Sequence, residues 1–96
     1  NICIMPLKIS KNKSVYHLKG KVIKPDVETF LTYFTEKIDK KKKITLNIDE
    51  AEEIDKNGLN AIQQLMILAT SKEKNFSIVG SGCKEIYDHI FINQLN

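Results

Sequence analysis

Ninety-six residues, 42% of them hydrophobic, suit one domain with a small core, and no apolar run approaches the roughly 18 residues of a membrane-spanning helix. The net charge of +3 conceals an asymmetry: residues 1–43 hold eleven lysines against four acids, and residues 44–96 hold four lysines against eight. All fifteen basic residues are lysine, which argues against sequence-specific DNA reading, since that leans on bidentate arginine contacts.

The first residues, Asn1-Ile2-Cys3-Ile4-Met5-Pro6, lack the basic start and long apolar centre of a secretion signal, so the expected location is cytoplasmic. The missing initiator Met is read as trimming or an upstream start. Cys3 and Cys83 form neither a CxxC pair nor a disulfide framework and read as reduced thiols.

Ile2 to Ile9 reads as a first strand, placed at a sheet edge because Pro6 cannot donate to a ladder. Ser10-Lys11-Asn12-Lys13 reads as a turn, Ser14 to Lys19 as a second strand, and Gly20 as its break. His17 has no second ligand at metal spacing and reads as a plain strand histidine. Pro25-Asp26 opens a helix, Pro fitting a first turn and Asp26 capping it or complementing its dipole. Val27, Phe30, Leu31, Phe34 and Ile38 give that helix one apolar stripe. Lys40 to Lys43 is a run of the kind that marks nucleic-acid or membrane patches. With no arginine or interleaved aromatic, it reads first as a solvated connection after a helix C-terminus, where cations are favoured.

Ile44-Thr45-Leu46-Asn47-Ile48 alternates like a half-buried strand, and Leu59, Ile62, Leu65, Met66 and Ala69 fall on one helical face. Between them Asp49, Glu50, Glu52, Glu53 and Asp55 read as a solvated acidic loop, favoured just before a helix N-terminus. Asp55 and Asn57 are both strong N-cap types, and Gly58 leaves room for close backbone approach by a partner. Phe76 to Val79 reads as a short strand, Gly80-Ser81-Gly82 as a turn, and Cys83 to about Phe91 as a third helix carrying a structural His89. Asn93 to Asn96 read as a frayed end. Gly80 and Gly82 do not make a phosphate loop, because no Gly-Lys-Ser/Thr follows. Alternating strands and helices after residue 20 imply right-handed crossovers and a parallel core to the sheet.

Ile44 to Leu59 resembles the signature of STAS domains (sulphate transporter and anti-sigma-factor antagonist). In that family an apolar strand ending in Asp is followed by a short polar connection and Ile-Asp-Ser-Ser-Gly-Leu. Here the last part is Ile54-Asp55-Lys56-Asn57-Gly58-Leu59. Leu18-Lys19-Gly20-Lys21-Val22 and Phe76-Ser77-Ile78-Val79-Gly80 resemble the family's early and late strands. Asn47, Glu50 and Asn57 depart from the usual Asp, Gly and phosphorylated Ser.

The resemblance implies an α/β fold over 1–96. It is a single STAS-like domain, a mixed sheet of about four or five strands with helices mainly on one face. The implied role is non-enzymatic: a bacterial anti-sigma-factor antagonist acting in transcription regulation by protein–protein contact, with no cofactor and no metal. The alternative is a scaffold or accessory subunit of a lipid-transport or stress-signalling assembly. The contact residues expected are Asp55, Lys56, Asn57 and Gly58, with Glu52 and Glu53 steering a basic partner. The partner is an anti-sigma factor of kinase-like type, or a transporter or signalling-complex subunit. No specific nucleic acid and no membrane insertion are expected, and a homodimer is allowed. Asn57 stands at the phospho-acceptor position without a hydroxyl, which implies constitutive binding. The competing phosphate sites are Ser71, Ser77 and Ser81, the last favoured by its helix start.

Overall fold

The computed structural model describes residues 7–82. The expected third helix, both cysteines, Pro6 and His89 lie outside them. Two strands open the fold as a hairpin, β1 (Lys8–Asn12) and β2 (Val15–Val22), followed by α1 (Lys24–Lys40), β3 (Lys43–Ile54), α2 (Lys56–Ser71) and β4 (Asn75–Val79). The sheet order is β1-β2-β3-β4, with β1 antiparallel to β2 and the other pairs parallel. Among the described residues the sheet has four strands, within the four or five expected of a mixed α/β sheet.

Three boundaries differ from the sequence reading. Ser10, Lys11 and Asn12 are strand rather than turn; the reversal is confined to Lys13 and Ser14, with Lys13 taking a left-handed φ of 60°. Gly20 does not end β2, which runs on to Val22 with register shifts on either side of that glycine. The largest correction is the acidic segment. Asp49 to Ile54 is not a loop but the second half of a twelve-residue β3, paired with the end of β2. Lys19 faces Glu50 at 4.0 Å and Lys21 faces Glu53 at 3.7 Å across the two strands. These exposed pairs contribute little stability each, but they replace repulsion within an acidic strand by opposite charge across the ladder.

The core lies between one face of the sheet and the two helices, which pack on each other. Tyr16, Leu18, Leu46 and Ile48 from the strands meet Phe30, Phe34 and Ile38 from α1, and Ile62, Leu65 and Ala69 from α2. Tyr16 packs edge-on against Phe34, with ring centroids 5.3 Å apart, and against Tyr33 at 6.1 Å. Leu59, on the apolar face expected of the second helix, and Ile78 of β4 are only partly buried and pack on the rim of the core. Thr45, on the opposite sheet face, shares a 3.2 Å hydroxyl hydrogen bond with Ser77 of β4.

Candidate functional site

The segment that joins β3 to α2 has shrunk to one residue, Asp55. It is the N-cap of α2: its backbone is extended and its Oδ1 accepts from the Gly58 N–H at 2.8 Å. Its other oxygen, Oδ2, accepts from the backbone N–H of Lys24 at 3.0 Å. Lys24 is the first residue of α1, whose own N-cap, Ile23, offers no side-chain acceptor. One carboxylate therefore serves free N–H groups at the starts of both helices, where positive dipole ends favour an anion. Asp26 sits in the first turn of α1 as expected, but the cap comes from Asp55.

Desolvation works against the charge on Asp55. The hydrogen bonds from Gly58, from Lys24 and from Asn57, through its side chain and backbone, outweigh it and hold the carboxyl below its ordinary value of 3.8. Asn57 thus favours the charged form of Asp55, while remaining exposed.

Gly58 is buried, and the close approach it permits is to the chain's own strand. A Cβ there would lie 2.2 Å from the Val22 carbonyl oxygen and 2.9 Å from Ile54 Cγ2. Its space is filled from within, where the sequence reading reserved it for a partner. Gly58 lets the first turn of α2 seat against the end of β2, which fixes the direction in which Lys56 and Asn57 project. Lys56, Asn57, Glu52 and Glu53 are exposed and Asp55 is half-buried. Glu52 and Glu53 project from strand β3, Glu53 toward Lys21.

Two features were not read from the sequence. From Asn57 to Ser71 α2 carries no charged residue, although 28% of the chain is charged. Asn57, Asn60, Gln64 and Ile67, three or four residues apart, form one exposed stripe, with Ile67 65% exposed beside an open groove of about 400 Å³ between the helices. Secondly, Asp49 holds the turn after β4. Its Oδ1 accepts from the Ser81 N–H at 2.9 Å, its own N–H donates to Asn47 Oδ1 at 2.9 Å, and a Cβ on Gly82 would lie 1.8 Å from the Ile48 carbonyl oxygen. The acidic signal of Asp49 was visible; its partner lies 32 residues away and was not. Among the described residues, no group of three or more His, Cys, Asp and Glu is placed to hold a metal ion, and no helix is long and apolar enough to cross a membrane.

No protein-family model matches this chain, and no curated protein matches it. Solved structures do match. The anti-sigma factor antagonist SpoIIAA in its unphosphorylated form superposes with a TM-score of 0.70 at 11% identity, over 90% of this chain and 83% of that one. An antisigma-factor antagonist STAS domain from Rhodobacter sphaeroides gives 0.55 at 20% identity, over 78% and 85%. Mglu gives 0.64 at 16% identity over 77% of this chain, which spans only 19% of that protein. The mixed sheet with two helices on one face is therefore a STAS-like fold. At these identities the likeness is one of fold, shared by two anti-sigma-factor antagonists and by a segment of a longer chain.

Proposed function

We propose that residues 1–96 act as one non-enzymatic regulatory module that binds a protein partner, in the manner of an anti-sigma-factor antagonist. The contact surface is the exposed end of β3 with the first turn of α2: Asp55, Lys56 and Asn57, seated on Gly58 and flanked by Glu52 and Glu53. The observation that carries this reading is the double cap. Asp55 ties the starts of both helices together, so Lys56 and Asn57 are held on a rigid base at low ordering cost to a partner. The uncharged stripe of α2 extends that surface away from the cap. Asn57 has no hydroxyl for phosphate, so the module binds constitutively and control passes to its abundance or to the partner.

A second reading, an accessory unit within a larger assembly, draws on the match to a fifth of Mglu: a fold of this kind also occurs as a small share of a longer chain.

Affinity capture from the source cells with wild-type protein and with Asn57→Asp, followed by mass spectrometry and then by binding of the purified partner, tests the proposal. A partner kept by wild type and lost or weakened by Asn57→Asp, with the variant's stability unchanged, supports it, and a kinase-like anti-sigma factor among the captured proteins favours the antagonist reading. Transporter subunits favour the accessory reading. Equal binding by both proteins refutes the assignment of the surface. Stoichiometric phosphate on Ser71, Ser77 or Ser81 of native protein, coupled to loss of binding, refutes constitutive control.

A further inference from the structure

Read alone, Lys40 to Lys43 is a solvated connection. The fold gives it neighbours. The crossover topology sends the C-termini of α1 and α2 to the end of the sheet where β3 and β4 begin, and the β1–β2 hairpin turn lies at the same end. The Asn75 N–H donates to the Lys42 carbonyl at 2.9 Å and the Thr45 N–H to the Ser14 carbonyl at 3.0 Å, stitching that end together. Residues 11–13, 36–43 and 72–75 thus meet at one pole, bearing nine lysines and three acids. Two of the acids are already engaged, Glu36 with Lys40 at 3.3 Å and Asp39 with Lys72. The crowding is felt electrostatically. The Lys11 amine is held below its ordinary value by the charge on Lys41 first, then by partial desolvation and the charge on Lys37. The two helix C-termini contribute only about half a negative charge each, so the pole stays strongly positive.

We propose that this lysine pole docks the protein peripherally on an anionic lipid surface. The chemistry of the pole selects that partner over other polyanions. Its cations come from the end of α1, the hairpin, the start of β3 and the connection from α2 to β4, and spread over an end of the molecule, as a planar sheet of headgroups requires. The nearby aromatic rings are not offered to nucleic-acid bases. Tyr16 and Tyr33 pack on each other, and Lys11 and Lys37 lie over their rings at 6.0 and 5.1 Å. A second copy of this chain offers no purely acidic counter-face, because Lys19 and Lys21 lie among Glu50, Glu52 and Glu53 at the opposite pole. Docking at this pole leaves the Asp55–Asn57 surface at the far end of the sheet, turned away from the lipid. The proposal is independent of what that surface binds.

Co-sedimentation of the purified chain with phosphatidylcholine vesicles, with and without phosphatidylglycerol, tests it. Binding is expected only to the anionic vesicles and should fall steeply between ~0.05 M and ~0.5 M salt. Each lysine near an anionic leaflet weighs about fivefold in partitioning, so the triple variant Lys41→Gln, Lys42→Gln, Lys43→Gln should lose about 100-fold. A variant with Lys19→Gln and Lys24→Gln, at the other pole, should stay within about twofold of wild type on the same scale. Far-UV circular dichroism checks that both variants are folded. Equal binding to neutral vesicles, no binding to either, or equal loss in both variants overturns the proposal. So does tighter binding to duplex DNA at matched salt, or self-association without vesicles that the triple variant abolishes.

Discussion

Asp55 is the residue on which most of the site's geometry depends, and its two oxygens can be tested separately. Asp55→Ala removes the acceptor for Gly58 N–H and the acceptor for Lys24 N–H together. A single N-cap is worth about 0.5–2 kcal/mol, typically ~1, so losing two should cost about 2 kcal/mol, with a range of ~1–4. Asp55→Asn keeps one oxygen but presents an amide NH2 to the other N–H, donor against donor. It should cost about half as much, ~1 kcal/mol, because one cap survives. Asp55→Ser reaches Gly58 but not Lys24 and should resemble Asp55→Asn. Urea melts followed by circular dichroism, with unchanged m-values, give the three differences.

The pH dependence adds a second constraint. The folded-state carboxyl of Asp55 lies below its ordinary value of 3.8. Its charge therefore contributes stability that is fully present above about 3.8 and is lost as pH falls through the lower, folded value. The gap between wild type and Asp55→Asn should be constant near neutrality and close below that window. An Asp55→Ala cost under about 0.5 kcal/mol, or an Asp55→Asn cost equal to that of Asp55→Ala, would refute the double cap.

Three further outcomes are expected. Leu65→Ala, in the buried face of α2, should cost about 2–5 kcal/mol in denaturant melts, and a loss well under 1 kcal/mol would say that the helix faces another way. Gly58→Ala should cost at least ~1–3 kcal/mol, because its Cβ meets the Val22 carbonyl rather than a flexible side chain; a neutral result in the same melts would contradict the seating of α2 on β2. Replacing Glu52 and Glu53 with lysine should slow association with the partner at low salt, and unchanged association rates in surface plasmon resonance would make those carboxylates mere solvated charge.

The parts legible in the sequence are those where one element carries its own signal. The alternation at Ile44 to Ile48 and the stripe from Phe30 to Ile38 led to β3 and α1 because each buries one face. The second half of β3 was hidden because acidic residues are depleted in strands and only Ala51 and Ile54 break the run. What makes it strand is β2, whose Lys19 and Lys21 supply opposite charge along the ladder. Asp55 was legible as a cap type, yet its second hydrogen bond goes to a residue 31 positions earlier, and no local pattern encodes that distance. Gly58 drew notice for its missing side chain, but only the packed structure says which atom fills the space.

These contacts bear on how Asn57 should be tested. Its amide helps to hold the Asp55 carboxyl low, so Asn57→Asp does two things at once. It adds a charge at the contact surface, and it places a second carboxylate beside Asp55, which weakens the cap. A loss of partner binding alone would not separate the two. Asn57→Ser separates them, since the hydroxyl is uncharged and puts no second carboxylate beside Asp55. If the surface is read by charge, Asn57→Ser should bind like wild type and Asn57→Asp should not, with both variants melting within about 1 kcal/mol of wild type. If Asn57→Asp binds poorly and also melts more than about 2 kcal/mol early, the cap has failed and the binding loss says nothing about charge recognition. If Asn57→Ser alone abolishes binding while its stability is intact, the amide itself touches the partner. The position would then be a fixed contact rather than a switch that has lost its hydroxyl.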